Sequence, residues 1–319
     1  MPIKQRFRTG LALVACSLVV AFGAQAAAPQ VKTQAPGFYR MMLGDIEVTA
    51  LSDGTVDLPT QMLLNTTAEQ TDGALTSSFL QAPVETSVNA YLINTGSKLV
   101  LIDVGDPAGL RPTLGKLMGN LRAAGYQPEQ VDAVLLTHMH RDHVGGLMIG
   151  DKLAFPNATV HADHREADFW LNQANMDRAT EPFKSFFRVA MVSIKPYINA
   201  GKFRPFDGDT EFVPGIRSRM SPGHTPGHTT FIVESKGRKL MLWGDMLHVE
   251  AVQFAKPSVA IQLDVDAQAA VTQRERFFAE AAEQGYWIAA SHLSFPGLGH
   301  LRKEGQRYVW VPASYTVPR

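Results

Sequence analysis

Apolar residues fall in short runs along most of this chain, and these runs alternate with stretches at helical spacing. Runs at 38–42, 46–51, 88–93, 99–103, 131–136, 159–162, 216–220, 229–233, 239–243 and 286–290 read as strands. Ser52-Asp53-Gly54 reads as a turn, and Asn94-Thr95-Gly96-Ser97 as the link of a hairpin. Helices are predicted over 112–124, stopped by Gly125, and from the capping Asp163 to about residue 171. Two more cover 181–197, where Phe183, Phe186, Phe187, Met191 and Ile194 share one face, and 266–284, the longest. Residues 58–85 show little periodicity and suit either a substrate loop or an ordinary connection. The tail after His300 is polar and closes on Val309-Trp310-Val311, so 286–290 is expected to be the last buried strand. Neither an internal repeat nor a Pro/Gly-rich linker divides the chain, which implies one α/β domain, residues 38–319, of two sheets faced by helices.

The N-terminus follows a different logic. Lys4, Arg6 and Arg8 precede an apolar run at 11–22 and then Ala24-Gln25-Ala26, the pattern of a secretory leader cleaved after Ala26. The run is too short to span a bilayer. Leu13-Val14-Ala15-Cys16 also resembles a lipoprotein box, so anchoring at Cys16 is the alternative. Cleavage after Ala26 removes the only cysteine, and residues 27–37 then form a loose mature N-terminus. Loss of the three basic residues leaves 27 basic against 30 acidic side chains, a net charge of −3. With no basic run and no aromatic-basic interleaving, nucleic acid is excluded as an expected partner. The expected location is periplasmic or secreted.

Chemistry concentrates in Thr137-His138-Met139-His140-Arg141-Asp142-His143-Val144-Gly145-Gly146, directly after the 131–136 strand. Three of the chain's ten histidines and one aspartate fall within six residues, a spacing that favours a metal site over a polar turn. Three later strands also run into metal-binding residues: 216–220 into His224 and His228, 239–243 into Asp245, and 286–290 into His292. If the strand ends share one edge, these residues converge. Seven ligands, His138, His140, Asp142, His143, His224, Asp245 and His292, are too many for one ion and point to two.

The H-x-H-x-D-H stretch resembles the signature of the metallo-β-lactamase superfamily, which implies an αββα sandwich and a hydrolase with two divalent ions, most simply zinc. The resemblance implies that His138, His140 and His224 hold one ion, that Asp142, His143 and His292 hold the other, and that Asp245 bridges them. It further implies a nucleophilic hydroxide held between the ions and oriented by Asp142, with Asp103 and His228 hydrogen-bonded behind the ligands. His161, His164 and His300 are expected to be ordinary packed or surface histidines.

Leu153 to Ala158, Glu166 to Leu171 and Ala290 to Gly297 resemble the methyl parathion hydrolase and lactonase branch of that superfamily. On this basis Trp170 and Phe187 would line an aromatic pocket, with His248, Ile261 and Leu263 on another wall. Leu110 replaces an aromatic residue of the phosphotriesterase, which counts against strong aryl phosphotriester turnover. Acyl-homoserine lactonases, similar at the metal ligands, carry a tyrosine where this chain has His248. His248 is therefore a candidate proton donor or simply part of the wall. The expected substrates are small aryl lactones or esters, with organophosphate triesters as a side activity. A β-lactamase, a thioester hydrolase and an acyl-homoserine lactonase are the alternatives, and a metal-binding protein without turnover ranks last. A homodimer is compatible with this reading.

Overall fold

The computed structural model describes residue 2 and residues 28–317. The expected leader, apart from residue 2, and Cys16 therefore lie outside the described residues, and residues 28–37 carry no helix or strand. Two seven-stranded sheets follow in chain order. The first contains β1 (Phe38–Leu43), β2 (Ile46–Leu58), β3 (Val84–Asn94), β4 (Leu99–Ile102), β5 (Ala133–Leu135), β6 (Thr159–Asp163) and β7 (Phe203–Phe206), with spatial order equal to sequence order. It is antiparallel as far as β4 and parallel from β4 to β7. The second contains β8 (Glu211–Val213), β9 (Ile216–Met220), β10 (Thr229–Ser235), β11 (Arg238–Leu242), β12 (Trp287–Ala289), β13 (Leu298–Glu304) and β14 (Arg307–Pro312), again in sequence order. Only its β11–β12 pair is parallel.

Helices connect the strands: α1 (Ala68–Ser77), α2 (Leu117–Ala123), α3 (Arg141–Val144), α4 (His164–Trp170), α5 (Gln173–Arg178), α6 (Phe183–Asn199), α7 (Glu250–Gln253) and α8 (Ala267–Gln284). The two-residue period of each strand sorts the side chains into layers. Val48, Ala50, Ile93, Val100 and Ile102 meet Phe231, Val233, Leu240 and Leu242 between the sheets. The opposite faces differ. Leu101, Val134 and Val160 pack against the α2, α4 and α6 side, with Leu121, Trp170 and Ile194. Ile232, Met241 and Ile288 pack against Phe277, Phe278 and Ala281 of α8. The architecture is the αββα sandwich. Among the described residues no helix is long and apolar enough to cross a membrane.

Four local readings are corrected. Ser52-Asp53-Gly54 is a bulge inside the continuous β2, not a turn. Asp53 points inward there, and its carboxylate accepts the backbone N–H groups of Asp106, Gly115 and Leu117, each at 3.0 Å. Gly54 sits at φ 125°, where a Cβ would come within 1.9 Å of the Thr113 carbonyl oxygen, so the bulge and the 105–117 loop are built to touch. That clamp also shortens the 112–124 helix to α2, since residues before Leu117 are held as loop. Residues 58–85 contain α1, capped by Thr67, and a Leu63–Leu64 pairing with Ala260–Ile261. Finally, the tail folds as the β13–β14 hairpin, its Trp310 stacked on Phe254, so β12 is not the last strand.

Replacing Asp53 with Ala strands three N–H donors at once. A loss of about 3 kcal/mol in unfolding free energy is expected, read as a lower urea midpoint at unchanged m-value. A change under about 0.5 kcal/mol would show that water takes over the role of the carboxylate.

Candidate metal centre

The parallel β4 and β5 end at the same edge, and the ligand loop starts there. Asp103, just past β4, has φ 60° and turns its carboxylate onto the next strand end. Its Oδ1 accepts the Thr137 N–H at 2.8 Å and its Oδ2 accepts the Thr137 hydroxyl at 2.7 Å. The same Oδ2 lies 2.9 Å from His143 Nδ1. The Thr137 hydroxyl proton is committed to Asp103, so its oxygen accepts from His138 Nδ1 at 3.1 Å. Other histidines are pinned in the same way from behind. His224 Nδ1 lies 2.7 Å from Asp264 Oδ1, and His292 Nδ1 lies 2.9 Å from the Ser87 carbonyl oxygen. In each of these four rings the outer nitrogen is engaged from behind, which fixes the ring with Nε2 facing the interior.

These Nε2 atoms surround one carboxylate. Asp245 Oδ1 is 3.1 Å from His143 Nε2, while Oδ2 is 3.2 Å from His224, 3.1 Å from His292 and 3.5 Å from His138. Asp142 Oδ2 stands 3.6 Å from His292 Nε2 and 3.8 Å from His143 Nε2. His140 Nδ1 comes within 3.0 Å of His224 Nε2, a contact between ring nitrogens. Within this buried cluster the Nε2 atoms of His138, His140 and His143 and Oδ1 of Asp245 have no hydrogen-bond partner. Unpartnered nitrogen and oxygen lone pairs aimed at a common centre fit divalent cations. His138, His140, His224 and Asp245 form one group of mutually close ligand atoms, and Asp142, His143 and His292 form a second.

The two histidines near Asp245 behave differently. His228 Nε2 accepts the Asp245 backbone N–H at 3.1 Å, and its Nδ1 faces Ser221. Burial pushes its pKa down to about 3, so it stays a neutral acceptor behind Asp245. His248 stacks on His292 with ring centroids 5.0 Å apart, and its Nε2 is 3.2 Å from Asp245 Oδ2. Burial, with the neighbouring His292 and His224, pushes its pKa down to about 4 against the pull of Asp245.

Charges within the cluster also divide the ligands. Burial holds His138 and His140 well below the ordinary imidazole range. For His143 burial is outweighed by Asp245, Asp103 and Asp142, and its pKa is well raised. His224 is raised to about 9 by Asp245 and Asp264 despite burial, and His292 is raised by Asp245. Protons thus occupy positions that cations would take.

A cavity of about 760 Å³ opens over His140, Asp142, Asp245 and His292. Leu58, Met62, Phe186, His248 and Leu263 form its walls, and Arg111, Arg141 and Glu181 also line it. The loop at 58–62 is therefore a wall. Three expected pocket residues lie elsewhere. Trp170 is fully buried behind His140, its ring 5.1 Å from the imidazole and 4.5 Å from Phe187, because the packed face of α4 carries it into the core. Phe187 is buried too and borders a separate depression of about 470 Å³ with Phe169 and Phe183. Ile261 pairs with Leu63 inside an apolar cluster. Leu110 is exposed and off the lining, where its neighbour Arg111 stands. Sequence reasoning missed Phe186, which shares the α6 stripe with Phe187, and Asp264, three residues beyond Ile261. His161 packs on Phe212, His164 pairs with surface carboxylates and His300 packs on Trp287, all away from the cluster.

Comparison with known proteins agrees with this geometry. The family model described as the metallo-beta-lactamase superfamily matches residues 83–287, more than half of the chain. The solved hydrolase AbOPH of the beta lactamase superfamily superposes with a TM-score of 0.85 at 35% identity, covering 89% of this chain and 100% of that one. AidC, a dizinc quorum-quenching lactonase solved with a product, N-hexanoyl-L-homoserine, gives a TM-score of 0.80 at 26% identity over 88% and 99% of the two chains. An N-acyl homoserine lactonase from Bacillus sp is 25% identical over 165 residues, 46% of this chain and 58% of the relative. The chain thus spans little more than half the length of that curated relative. From its ligand loops to its paired sheets, the chain belongs to the metallo-β-lactamase superfamily of hydrolases.

Proposed function

We propose that the protein is a dinuclear zinc hydrolase that opens lactones and related esters carrying an apolar substituent. The observation that carries this reading is the set of unpartnered Nε2 and carboxylate lone pairs around Asp245, at the floor of a cavity with apolar walls. His138, His140 and His224 would hold one ion, Asp142, His143 and His292 the other, with Asp245 shared. Bound there, the ions supply an acidified water and a Lewis acid for the ester carbonyl. The chain supplies the rest. Asp142, partly exposed on the cavity floor, accepts a hydrogen bond from the attacking water and so orients it. Leu58, Met62, Phe186 and Leu263 exclude water around the apolar part of the substrate. His248 is neutral near pH 7, so it offers an uncharged N–H to the leaving oxygen or shapes the wall, and no imidazolium. The similarity to AidC and to the Bacillus lactonase supports lactone opening. Phosphotriester hydrolysis is proposed as a side activity of the same water, and the leader at residues 1–26 supports export from the cytosol.

Zinc-saturated protein should contain close to two equivalents by elemental analysis, and Asp142→Ala close to one. Two equivalents with an unchanged rate in the variant would remove Asp142 from the site. The raised histidines add a pH signature. Their contribution to metal-free stability is complete below the unfolded histidine value of about 6.5 and disappears as pH rises through about 9 for His224. The lowered histidines His138, His140, His228 and His248 cost stability once pH falls below that same value. Metal-free stability should therefore peak near pH ~6.5. Zinc binding at pH 7 should release protons and tighten toward pH 9, as calorimetry in buffers of different ionisation enthalpy would show.

Substrate walls are tested on a panel of dihydrocoumarin, an aliphatic lactone, a short ester, methyl parathion, a penicillin and a glutathione thioester. Turnover should be highest on the lactones, and a penicillin or thioester at the top of the panel would overturn the assignment. Phe186→Ala should lower kcat/KM for dihydrocoumarin about ten- to hundredfold, the equivalent of roughly 1.5–3 kcal/mol of lost apolar contact, with less effect on the short ester. Trp170→Ala should instead lower stability by about 3–5 kcal/mol. Wild type and His248→Leu should share one pH profile between 6 and 8 on the aliphatic lactone. A limb near 6.5 confined to the wild type would restore His248 as a general acid.

A further inference from the structure

Glu166 is a buried carboxylate with no part in the chemistry above. It lies in the first turn of α4, 23 residues beyond His143, yet it touches two ligand loops. Its Oε1 accepts the Met139 N–H at 2.8 Å, and Met139 is the residue between His138 and His140. Its Oε2 accepts the Gly227 N–H at 2.9 Å, three residues after His224. The first loop leaves β5 in one sheet and the second leaves β9 in the other, so a single side chain fastens the two sheets together at the centre. The close approach is built in, since a Cβ on Gly227 would lie 2.4 Å from the Glu166 nitrogen.

We infer that Glu166 is a positioning residue for the three-histidine metal site alone, setting the separation of His138 and His140 from His224. The selectivity follows from the contacts. His143 is held by Asp103 and His292 by the Ser87 carbonyl, and neither group touches Glu166. The His140 to His224 contact of 3.0 Å spans the gap that Glu166 closes. This inference rests on the dinuclear reading.

Glu166→Gln keeps the shape of the side chain but turns an NH2 group toward one of the two N–H donors, so one loop loses its anchor. Full-length protein loaded with zinc is titrated with a chelator, and cobalt replaces zinc for absorbance spectra. Wild type should release two equivalents in separable steps. In the variant one step should weaken about ten- to hundredfold, the range typical of residues that orient ligands, while the other stays within about threefold. The visible cobalt bands of the weakened site should shift, and the zinc-saturated variant should unfold near the wild-type temperature. Gly227→Ala, which forces the loop off Glu166, should weaken the same step. Unchanged steps in both variants would overturn the inference, as would two steps weakened together with a lower unfolding temperature. A wild type that holds a single equivalent would overturn the dinuclear reading, and Glu166 would then be judged by whether that equivalent weakens. A wild type that binds no zinc would remove both.

Discussion

Everything at the active edge depends on the carboxylate of Asp245 and the imidazole lone pairs turned toward it. Buried lone pairs repel one another and cannot find water, so such a cluster is stable only with protons or cations among them. The metal-free protein uses protons, on the histidines that face the most carboxylates. Each outer hydrogen bond, from Asp103, Asp264, Thr137 or the Ser87 carbonyl, fixes a ring with its Nε2 facing inward. The site is held ready for metal by groups that never touch it.

The fold makes that arrangement inexpensive in chain length. Parallel β4 and β5 bring Asp103 and Thr137 to the same edge, and parallel β11 and β12 do the same for Asp245 and His292. Facing sheets then need fasteners where the loops meet. The Thr229 N–H donates to the Thr137 carbonyl at 2.9 Å, and Gly244 takes φ 55° where a Cβ would press on Thr137 and His228. Glycine and threonine at these strand ends are thus as necessary to the geometry as the histidines, although neither binds metal.

The clustering of the candidate ligands was legible because strand ends are readable from apolar runs, and because histidines two and three apart have few other uses. Two sheets faced by helices followed from strand runs separated by helical stretches, and the superfamily resemblance made them an αββα sandwich. What stayed hidden depended on which way a residue faces. The α6 stripe holds Phe183, Phe186 and Phe187, and spacing alone cannot tell that Phe186 meets the cavity while Phe187 meets Trp170. Asp53 and Gly54 have the composition of a turn, and only the distant 105–117 loop shows that they form a bulge. The final hairpin was obscured because β14 is an edge strand and Arg302, Lys303 and Arg307 of the hairpin face solvent.

Chemistry and specificity are consequently carried by different parts of the chain. The ligands sit on strand ends tied to both sheets, where a shift of a few tenths of an ångström is resisted by backbone hydrogen bonds on every side. The cavity walls come from the 58–62 segment, the start of α6 and the stretch around Leu263, none of which holds a ligand. A wall side chain can therefore change size without disturbing a metal position, provided that its own packing neighbours adjust. His248 and Phe186 are exceptions, since the His248 ring rests on His292 and Asp245 and the Phe186 ring lies 4.7 Å from that of His140. Substitution there changes the wall and the ligand packing together. At these two wall positions substrate preference and metal retention are physically coupled.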